Sequence, residues 1–324
     1  STVPVGTTER AKEILAATRP YAGIVLASNP EFLRQGSAVE DFLNPDRIVI
    51  GTDSEEAEDT LRTLYQAQLS QGVPGLFTSI ESAELVKYAS NAFLATKLSF
   101  INEIADLCEM TGASVTDVAT GMGLDARISD RFLSAGPGFG GSCLPKDTQA
   151  LLHTSRQFGT QSRIVAAAFD VNRTRPHQIL RKIEFAIGMP FHRTRIAVLG
   201  LTFKANTDDL RESPALELVQ ELVGRGAEVR AYDPQGMDRA RPLLPAVKLT
   251  SDPYEAMEGA DGVIIATEWG EFATLDLARV ASTLAEPVLI DLRNLYDPDL
   301  MVAAGLHYVS VGRPPASPES GDEI

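Results

Sequence analysis

The sequence predicts an α/β protein with two parallel-sheet regions flanking a helical middle. Three observations predict it. Short apolar runs alternate with amphipathic helical patterns at both ends of the chain, which argues for parallel strands joined by helices. Between those ends, residues 82–111 contain neither Gly nor Pro and keep helical spacing throughout. The length of 324 residues suits two or three domains at about 100–200 residues each. The fold class is therefore a partial Rossmann-type parallel sheet, a helical middle domain with a long central helix, and a second Rossmann-like C-terminal domain.

Residues 8–18 (TERAKEILAAT) read as a helix, and residues 24–27 and 47–51 as strands. Residues 54–70 form a further helix opened by Ser54, and 75–80 a third strand. Residues 82–111 then make a helix about 45 Å long at ~1.5 Å per residue. Leu85, Tyr88, Ala92, Ala95, Ser99, Asn102 and Ala105 form one stripe on it, and Leu94, Leu98, Ile101, Ala105 and Cys108 a second. Stripes on more than one side predict a buried helix that crosses a domain or subunit interface. Gly112 is placed to end it. A short helix at 114–121, a Gly-rich loop and a long helix near 161–187 complete the middle. The second α/β region has strands at 196–200, 228–232, 262–267 and 288–291, with a helix at 214–225. From Pro314 the tail lacks apolar periodicity and is expected to be disordered.

Composition removes several functions. Apolar residues at 44% and charged residues at 23% exclude a fibre or a disordered chain. No apolar stretch approaches the ~18 residues of a membrane span. A net charge of −15 repels phosphate backbones, which argues against general nucleic-acid binding but leaves room for a local basic pocket for one nucleotide. Two cysteines, Cys108 and Cys143, are too few for a disulfide scaffold and fit a reducing cytoplasm. His153, His177, His192 and His307 never fall at metal-ligand spacing, so no metal site is expected. The N-terminus lacks an initiator Met and the charged and apolar regions of a signal peptide.

The densest chemical signal is Gly136-Pro137-Gly138-Phe139-Gly140-Gly141-Ser142-Cys143-Leu144-Pro145-Lys146-Asp147. Its glycines satisfy G-x-G-x-x-G, but no strand precedes it, so it is not a dinucleotide turn. One reading is a loop that lets a ligand approach the backbone and presents Cys143 before a helix start, where N–H groups and Lys146 favour thiolate. The other is a small residue in a structural Gly turn. Cys108, on an apolar stripe, reads as an inert packing thiol. Lys87 and Asn91, four apart on the long helix, share a face among apolar residues. Lys87 there either serves a ligand or is a solvated lysine with its stem over apolar surface. Glu31 follows a strand end and is either an acid–base candidate or a solvated turn residue. Lys204 and Arg211 lie between a strand end and a helix start, as in an anion pocket, although Asp208 and Asp209 oppose a purely phosphate-binding loop.

Six segments in order, STVPVGT (1–7), SNPEFLRQGSAVEDFLNPDR (28–47), ELVKYASNAFLATKLSFINEIADLC (84–108), GPGFGGSCLPKD (136–147), GLTFKANTDDLRESPA (200–215) and IDLRNLYDP (290–298), resemble the UDP-glucose/GDP-mannose dehydrogenase family. They span nearly the whole chain up to the tail. The resemblance implies an NAD-binding Rossmann domain, a helical middle with a dimer-forming helix, and a C-terminal nucleotide-binding domain. These map to residues 1–80, 81–188 and 189–313. The strand and G-x-G-x-x-G that open the family do not occur, so residues 1–80 are expected to be a remnant lacking roughly the first hundred residues. The chain alone is then expected to lack full NAD binding.

The resemblance further implies NAD-dependent oxidation of UDP-glucose to UDP-glucuronate, with Cys143, Lys87, Asn91, Asp147 and Glu31 as catalytic residues. It assigns substrate contacts to Glu31, Phe32, Leu33, Arg34 and Gln35, and to Lys87 and Asn91. Further contacts fall on Phe132, Leu133, Ser134, Ala135, Gly136 and Gly140, on Phe203 and Lys204, and on Arg127 and Arg293. Cofactor contacts fall on Thr2, Gln35, Lys146 and Arg211. The chain departs from the family pattern at Gln35, where a second glutamate is usual, and at Leu144, where Phe is more frequent; Ser134 occupies a variable position. The partners implied are a nucleotide sugar and further copies of the chain, as a homodimer or higher homo-oligomer in the cytoplasm. GDP-mannose or UDP-aminosugar oxidation, and a non-catalytic nucleotide-sugar-binding fragment, remain alternatives.

Overall fold

The structure, a computed structural model, describes residues 2–318. The chain forms two compact units, residues 2–93 with 146–165 and residues 94–145 with 166–318. Among the described residues no helix is long and apolar enough to cross a membrane.

In the first unit α1 (Thr7–Thr18), α2 (Ala38–Leu43), β1 (Ile48–Gly51), α3 (Glu55–Leu64), α4 (Gln66–Ser70) and β2 (Gly75–Thr78) follow in order. α5 (Ile80–Thr111) begins in this unit and continues in the other. β1 and β2 pair in parallel, with Ile48 opposite Gly75 and Gly51 opposite Thr78. A Cβ on Gly51 would collide with the Ser79 carbonyl and Ala83, so only glycine lets the start of α5 pack this closely on the strand. α3 starts where Ser54 accepts the Ala57 N–H at 3.3 Å, and Glu55, Glu56 and Glu58 meet the positive end of its dipole.

Three expectations are corrected in this unit. Residues 24–27 are not a strand. Their tie to the sheet is one antiparallel bridge, Ser28 to Gly51, and Ile24 and Val25 are exposed. An apolar β-branched run suits a strand only where a neighbour completes its ladder. The helix expected at 54–70 is interrupted at Tyr65, whose hydroxyl donates to Asn29 at 2.7 Å, a tertiary tie that local periodicity does not register. α5 is 32 residues long and buries Ala92, Ala95, Ile101, Ala105 and Cys108, but leaves Leu85, Phe93, Phe100 and Leu107 exposed. It is therefore buried on one side of the single chain rather than all round. Gly112 ends it with φ +76°, as expected.

The second unit adds α6 (Val115–Gly123) and receives the start of α7 (Leu144–Gln157) and most of α8 (Arg163–Ile187). Then come β3 (Arg195–Leu199), α9 (Pro214–Gly224), β4 (Glu228–Tyr232), α10 (Met237–Ala240), β5 (Lys248–Leu249), α11 (Pro253–Met257) and β6 (Gly262–Ile265). The last four elements are α12 (Leu277–Thr283), β7 (Val288–Asp291), α13 (Pro298–Ala303) and β8 (His307–Ser310).

The six strands lie in the order β5-β4-β3-β6-β7-β8, all parallel, as in a doubly wound nucleotide-binding sheet. Successive side chains enter opposite faces. Ile196 and Val198 join Leu218, Val219 and Leu222 of α9, while Ala197 and Leu199 join Met257 of α11 and Val280 of α12. Covered on both faces, the strands read as continuous apolar runs, which is why β3, β4, β6 and β7 are visible in the sequence. β5 has two residues and β8 begins and ends on polar side chains, so neither stands out. Ala316 exchanges backbone hydrogen bonds with Tyr308, which corrects the expectation of disorder from Pro314; residues 319–324 lie outside the described residues.

Ile264 in the central β6 is fully buried, so Ile264→Ala should cost about 2–5 kcal/mol. Denaturant unfolding followed by fluorescence of Trp269, the sole tryptophan and a buried one, reports this directly.

Candidate functional site

In the first unit successive turns of α5 carry Lys87 and Asn91, at 6% and 8% exposure. Asn91 Nδ2 donates to Asp147 Oδ2 at 2.6 Å. Asp147 lies in the first turn of α7 and is 1% exposed; its other oxygen accepts Lys146 Nζ at 2.6 Å. The burial of Lys87 overturns its reading as a solvated surface lysine. Its ammonium lies 5.1 Å from the centre of the Phe32 ring, which Arg47 also overlies at 3.8 Å. Glu31 accepts the Thr2 hydroxyl at 3.1 Å. Burial pushes the Glu31 carboxyl up, but its own backbone N–H, Thr2 and the charge of Lys87 hold it below its ordinary value.

This cluster thus brings together Thr2, Glu31, Phe32, Lys87, Asn91, Lys146 and Asp147. Leu33, Arg34 and Gln35 follow in the loop before α2. The Arg34 guanidinium is engaged bidentately by Asp41, whose carboxyl it holds at about 2. Sequence reasoning missed Glu84, one turn before Lys87. It is 2% exposed and accepts the N–H groups of Gly6 and Thr8 and the Thr8 hydroxyl, capping the start of α1 and fixing the segment after Thr2. A carboxylate on the apolar, helical face that carries Lys87 was the available signal.

In the second unit the Gly-rich loop packs under the 203–212 segment. A Cβ on Gly140 would collide with the Glu212 carbonyl, and Gly141, at φ +81°, lies beneath the Phe203 ring. The Gly141 N–H donates to the Arg211 carbonyl at 3.0 Å. Cys143 follows, exposed, immediately before α7. The Arg211 guanidinium is bound by Asp209, which raises its pKa, and stands largely in solvent. Arg293, after β7, donates to the carbonyls of Ala266 at 2.9 Å and Phe203 at 3.2 Å and lies 3.0 Å from Glu268. Its side chain also flanks Gly136. These residues sit beyond the carboxyl ends of β3, β6 and β7, at the switch point of the sheet, where doubly wound folds hold nucleotides. Lys204 is half-buried beside Phe203.

Leu133 and Ala135 are buried, while Ser134 and Phe132 are exposed, Phe132 with φ +63°. Arg127 is not drawn into this cluster: it is exposed and paired with Asp125. Cys108 is 3% exposed in the core, and burial pushes its thiol up.

The donors assigned to the cofactor are a hydroxyl, a carboxamide and two cations. The charged ends of Lys146 and Arg211 are 59% and 65% exposed, chemistry that fits the pyrophosphate and ribose of a nicotinamide dinucleotide. The doubly wound parallel sheet of the second unit is the fold of nucleotide-binding proteins.

Comparisons with known proteins sharpen this. The family's NAD-binding domain matches residues 1–69, its central domain residues 81–174 and its UDP-binding domain residues 197–298. The chain is 50% identical over 316 residues to a UDP-glucose 6-dehydrogenase of Rhizobium meliloti (strain 1021), covering 97% of this chain and 72% of that protein. It is 45% identical over 314 residues to that of Rickettsia typhi (strain ATCC VR-144 / Wilmington), covering 96% and 72%. A solved UDP-glucose dehydrogenase from Pyrobaculum islandicum superposes with a TM-score of 0.87 at 40% identity, over 97% of this chain and 69% of that one. A UDP-D-ManNAc dehydrogenase from Pyrococcus horikoshii gives 0.84 at 28% identity, over 97% and 71%. The chain belongs to the UDP-glucose/GDP-mannose dehydrogenase family, an NAD-dependent oxidoreductase family. Residues 1–69 thus carry sequence of the family's NAD-binding domain.

Iodoacetamide on the native protein should alkylate Cys143 and spare Cys108, since one thiol is exposed and the other buried. Peptide mass spectrometry reads the ratio; equal labelling would contradict the assignment.

Proposed function

We propose that this protein oxidises UDP-glucose to UDP-glucuronate. The observation that carries this reading is the buried hydrogen bond from Asn91 to Asp147, one turn of α5 from the buried ammonium of Lys87. A protein that merely bound a nucleotide sugar would gain nothing from burying these charges, which are costly unless matched. UDP-glucose is favoured over a UDP-aminosugar because identity is 50% and 40% to UDP-glucose enzymes against 28% to a UDP-D-ManNAc enzyme.

Thr2, Gln35, Lys146 and Arg211 would hold NAD+, and two NAD+ bound in turn would each accept one of the two hydrides that the conversion releases. Asp147, or a water it orients, takes the proton of the C6 hydroxyl. Lys87 and Asn91 stabilise negative charge on the C6 oxygen. Cys143 Sγ adds to the aldehyde carbon, and the thiohemiacetal is oxidised to a thioester. Glu31, held anionic, and Asp147 position the water that hydrolyses it, returning the thiol. Phe32 to Gln35, residues 132–136, Gly140, Phe203 and Lys204 contact the nucleotide sugar. Arg293, already turned toward Phe203 and Gly136, meets its phosphates or sugar, as does Arg127 from a partner copy. Residues 81–188 then form the dimerisation domain and 189–313 the UDP-binding domain of a cytoplasmic homodimer or higher oligomer, with the exposed apolar side of α5 available for the second copy.

Cys143→Ala should abolish carboxylate production, while Cys108→Ala leaves turnover nearly unchanged. Wild-type rates of UDP-glucuronate formation by Cys143→Ala would sink the covalent mechanism. Lys87→Met keeps the stem and removes the ammonium, and should lower kcat by about 10²–10³. A change below about threefold, measured by NADH absorbance with UDP-glucose, would show that Lys87 does not serve the oxyanion.

A further inference from the structure

The loop that leads to Cys143 is buried but has no secondary structure. Gly136, Phe139, Gly140 and Gly141 are all buried and outside any helix or strand. Buried N–H and C=O groups must find partners, and a loop cannot supply them to itself. Here side chains from two helices do so. Asn102 Oδ1, on α5, accepts the Gly136 N–H at 2.8 Å, and Arg175 Nε, on α8, donates to the Gly136 carbonyl at 3.1 Å. Asn172, also on α8, accepts the Phe139 N–H at 2.8 Å and donates to the Phe139 carbonyl at 3.0 Å. Two loop residues therefore have both main-chain groups matched by side chains, as a neighbouring strand would match them.

The spacing serves this purpose. Asn172 and Arg175 are three apart on α8, and Asn102 and Asp106 are four apart on α5, so each pair shares a face. Asp106 pairs with Arg175 Nη1, holding a guanidinium that is 1% exposed. Gly138, at φ +125°, brings its backbone so close to Asn172 that a Cβ would lie 2.9 Å from Oδ1. A buried arginine and a carboxamide are poor packing residues; apolar side chains of the same volume would stabilise a core at least as well.

We propose that Asn172 and Arg175, aided by Asn102, are positioning residues for Cys143: they fix the main chain of the loop from which the thiol is delivered. The proposal rests on the reading of Cys143 as the nucleophile. Phe139 is four residues from Cys143, and Gly140 and Gly141 are held on their other side by Glu212, Arg211 and Phe203. The loop is thereby clamped from two directions just before the thiol. Without Asn172 the Phe139 amide and carbonyl lose their partners, and the thiol is presented correctly for only a fraction of the time.

The test uses Asn172→Leu, which keeps volume and removes both hydrogen bonds, and Arg175→Met in the full chain. Asn172→Asp, which keeps the acceptor for the Phe139 N–H and loses the donor to its carbonyl, serves if the leucine variant does not fold. Arg175→Lys is the conservative comparison. Hydrogen exchange well below the melting temperature should accelerate about tenfold or more in peptides covering residues 136–141, and stay unchanged in peptides covering β3 and β6. With UDP-glucose and NAD+, kcat should fall about tenfold or more while KM for UDP-glucose stays within about threefold, and Arg175→Lys should recover part of the loss. Unchanged exchange at 136–141 would overturn the proposal, as would faster exchange with wild-type kcat. A uniform rise in exchange across the sheet would mean a general structural role and would overturn it too. Failure of the functional reading shows separately, as full turnover by Cys143→Ala.

Discussion

A carboxylate as buried as Asp147 has to be met by donors, and the first unit is arranged around meeting it. The Asn91 amide takes one oxygen and the Lys146 ammonium the other. The first donor fixes α5 against α7, because both side chains are short and both backbones helical. Lys87 shares a helix face with Asn91, so orienting Asn91 orients Lys87 as well. Removing any one of these partners would leave charge or dipole buried without compensation, which is far more costly than the modest net gain of forming the bond. The same accounting explains Glu84, buried on α5 and satisfied by the free N–H groups that begin α1 and by the Thr8 hydroxyl. Through it, the segment containing Thr2 is tied to the helix that carries Lys87.

The second unit meets the same constraint with different means. Asp233, at the end of β4, is 1% exposed and accepts the N–H groups of Leu201 and Thr202, the Thr202 hydroxyl and the Trp269 indole N–H on one oxygen. Its other oxygen takes the N–H groups of Gln235 and Gly236. It thereby fixes the loop that presents Phe203 and Lys204. Asp291, at the end of β7, does likewise for the turn that carries Arg293. It accepts the N–H groups of Arg293 and Tyr296 and the Tyr308 hydroxyl, and its burial raises its pKa against those bonds. Strand ends in a parallel sheet leave backbone donors unpaired, and a buried aspartate at each end recruits them.

Recognition of the family rested on order and spacing of polar motifs, and these were legible. Lys87 and Asn91 on one helix face, and Cys143 four residues before Asp147, could be read because helical geometry converts sequence spacing into shared faces. Four of the six strands of the C-terminal sheet were visible because burial on both sides demands unbroken apolar runs. β5 and β8 were not, being too short or too polar to rise above a loop. Residues 24–27 looked like a strand for the same reason that β3 does, yet pairing is a property of neighbours and not of the segment.

By itself the sequence determined the long helices α5 and α8, which thiol is packed and which precedes a helix. Local propensity and periodicity suffice for those, since each depends on residues within a few positions of one another. Tertiary structure alone decided the partners: that Asn91 meets Asp147 over 56 positions, that Arg175 reaches the Gly136 carbonyl over 39, and that Arg293 reaches Phe203 over 90. A buried donor or acceptor must be satisfied, but nothing in its own sequence neighbourhood says by which residue; only the packing of distant helices and strand ends brings the matching group within reach.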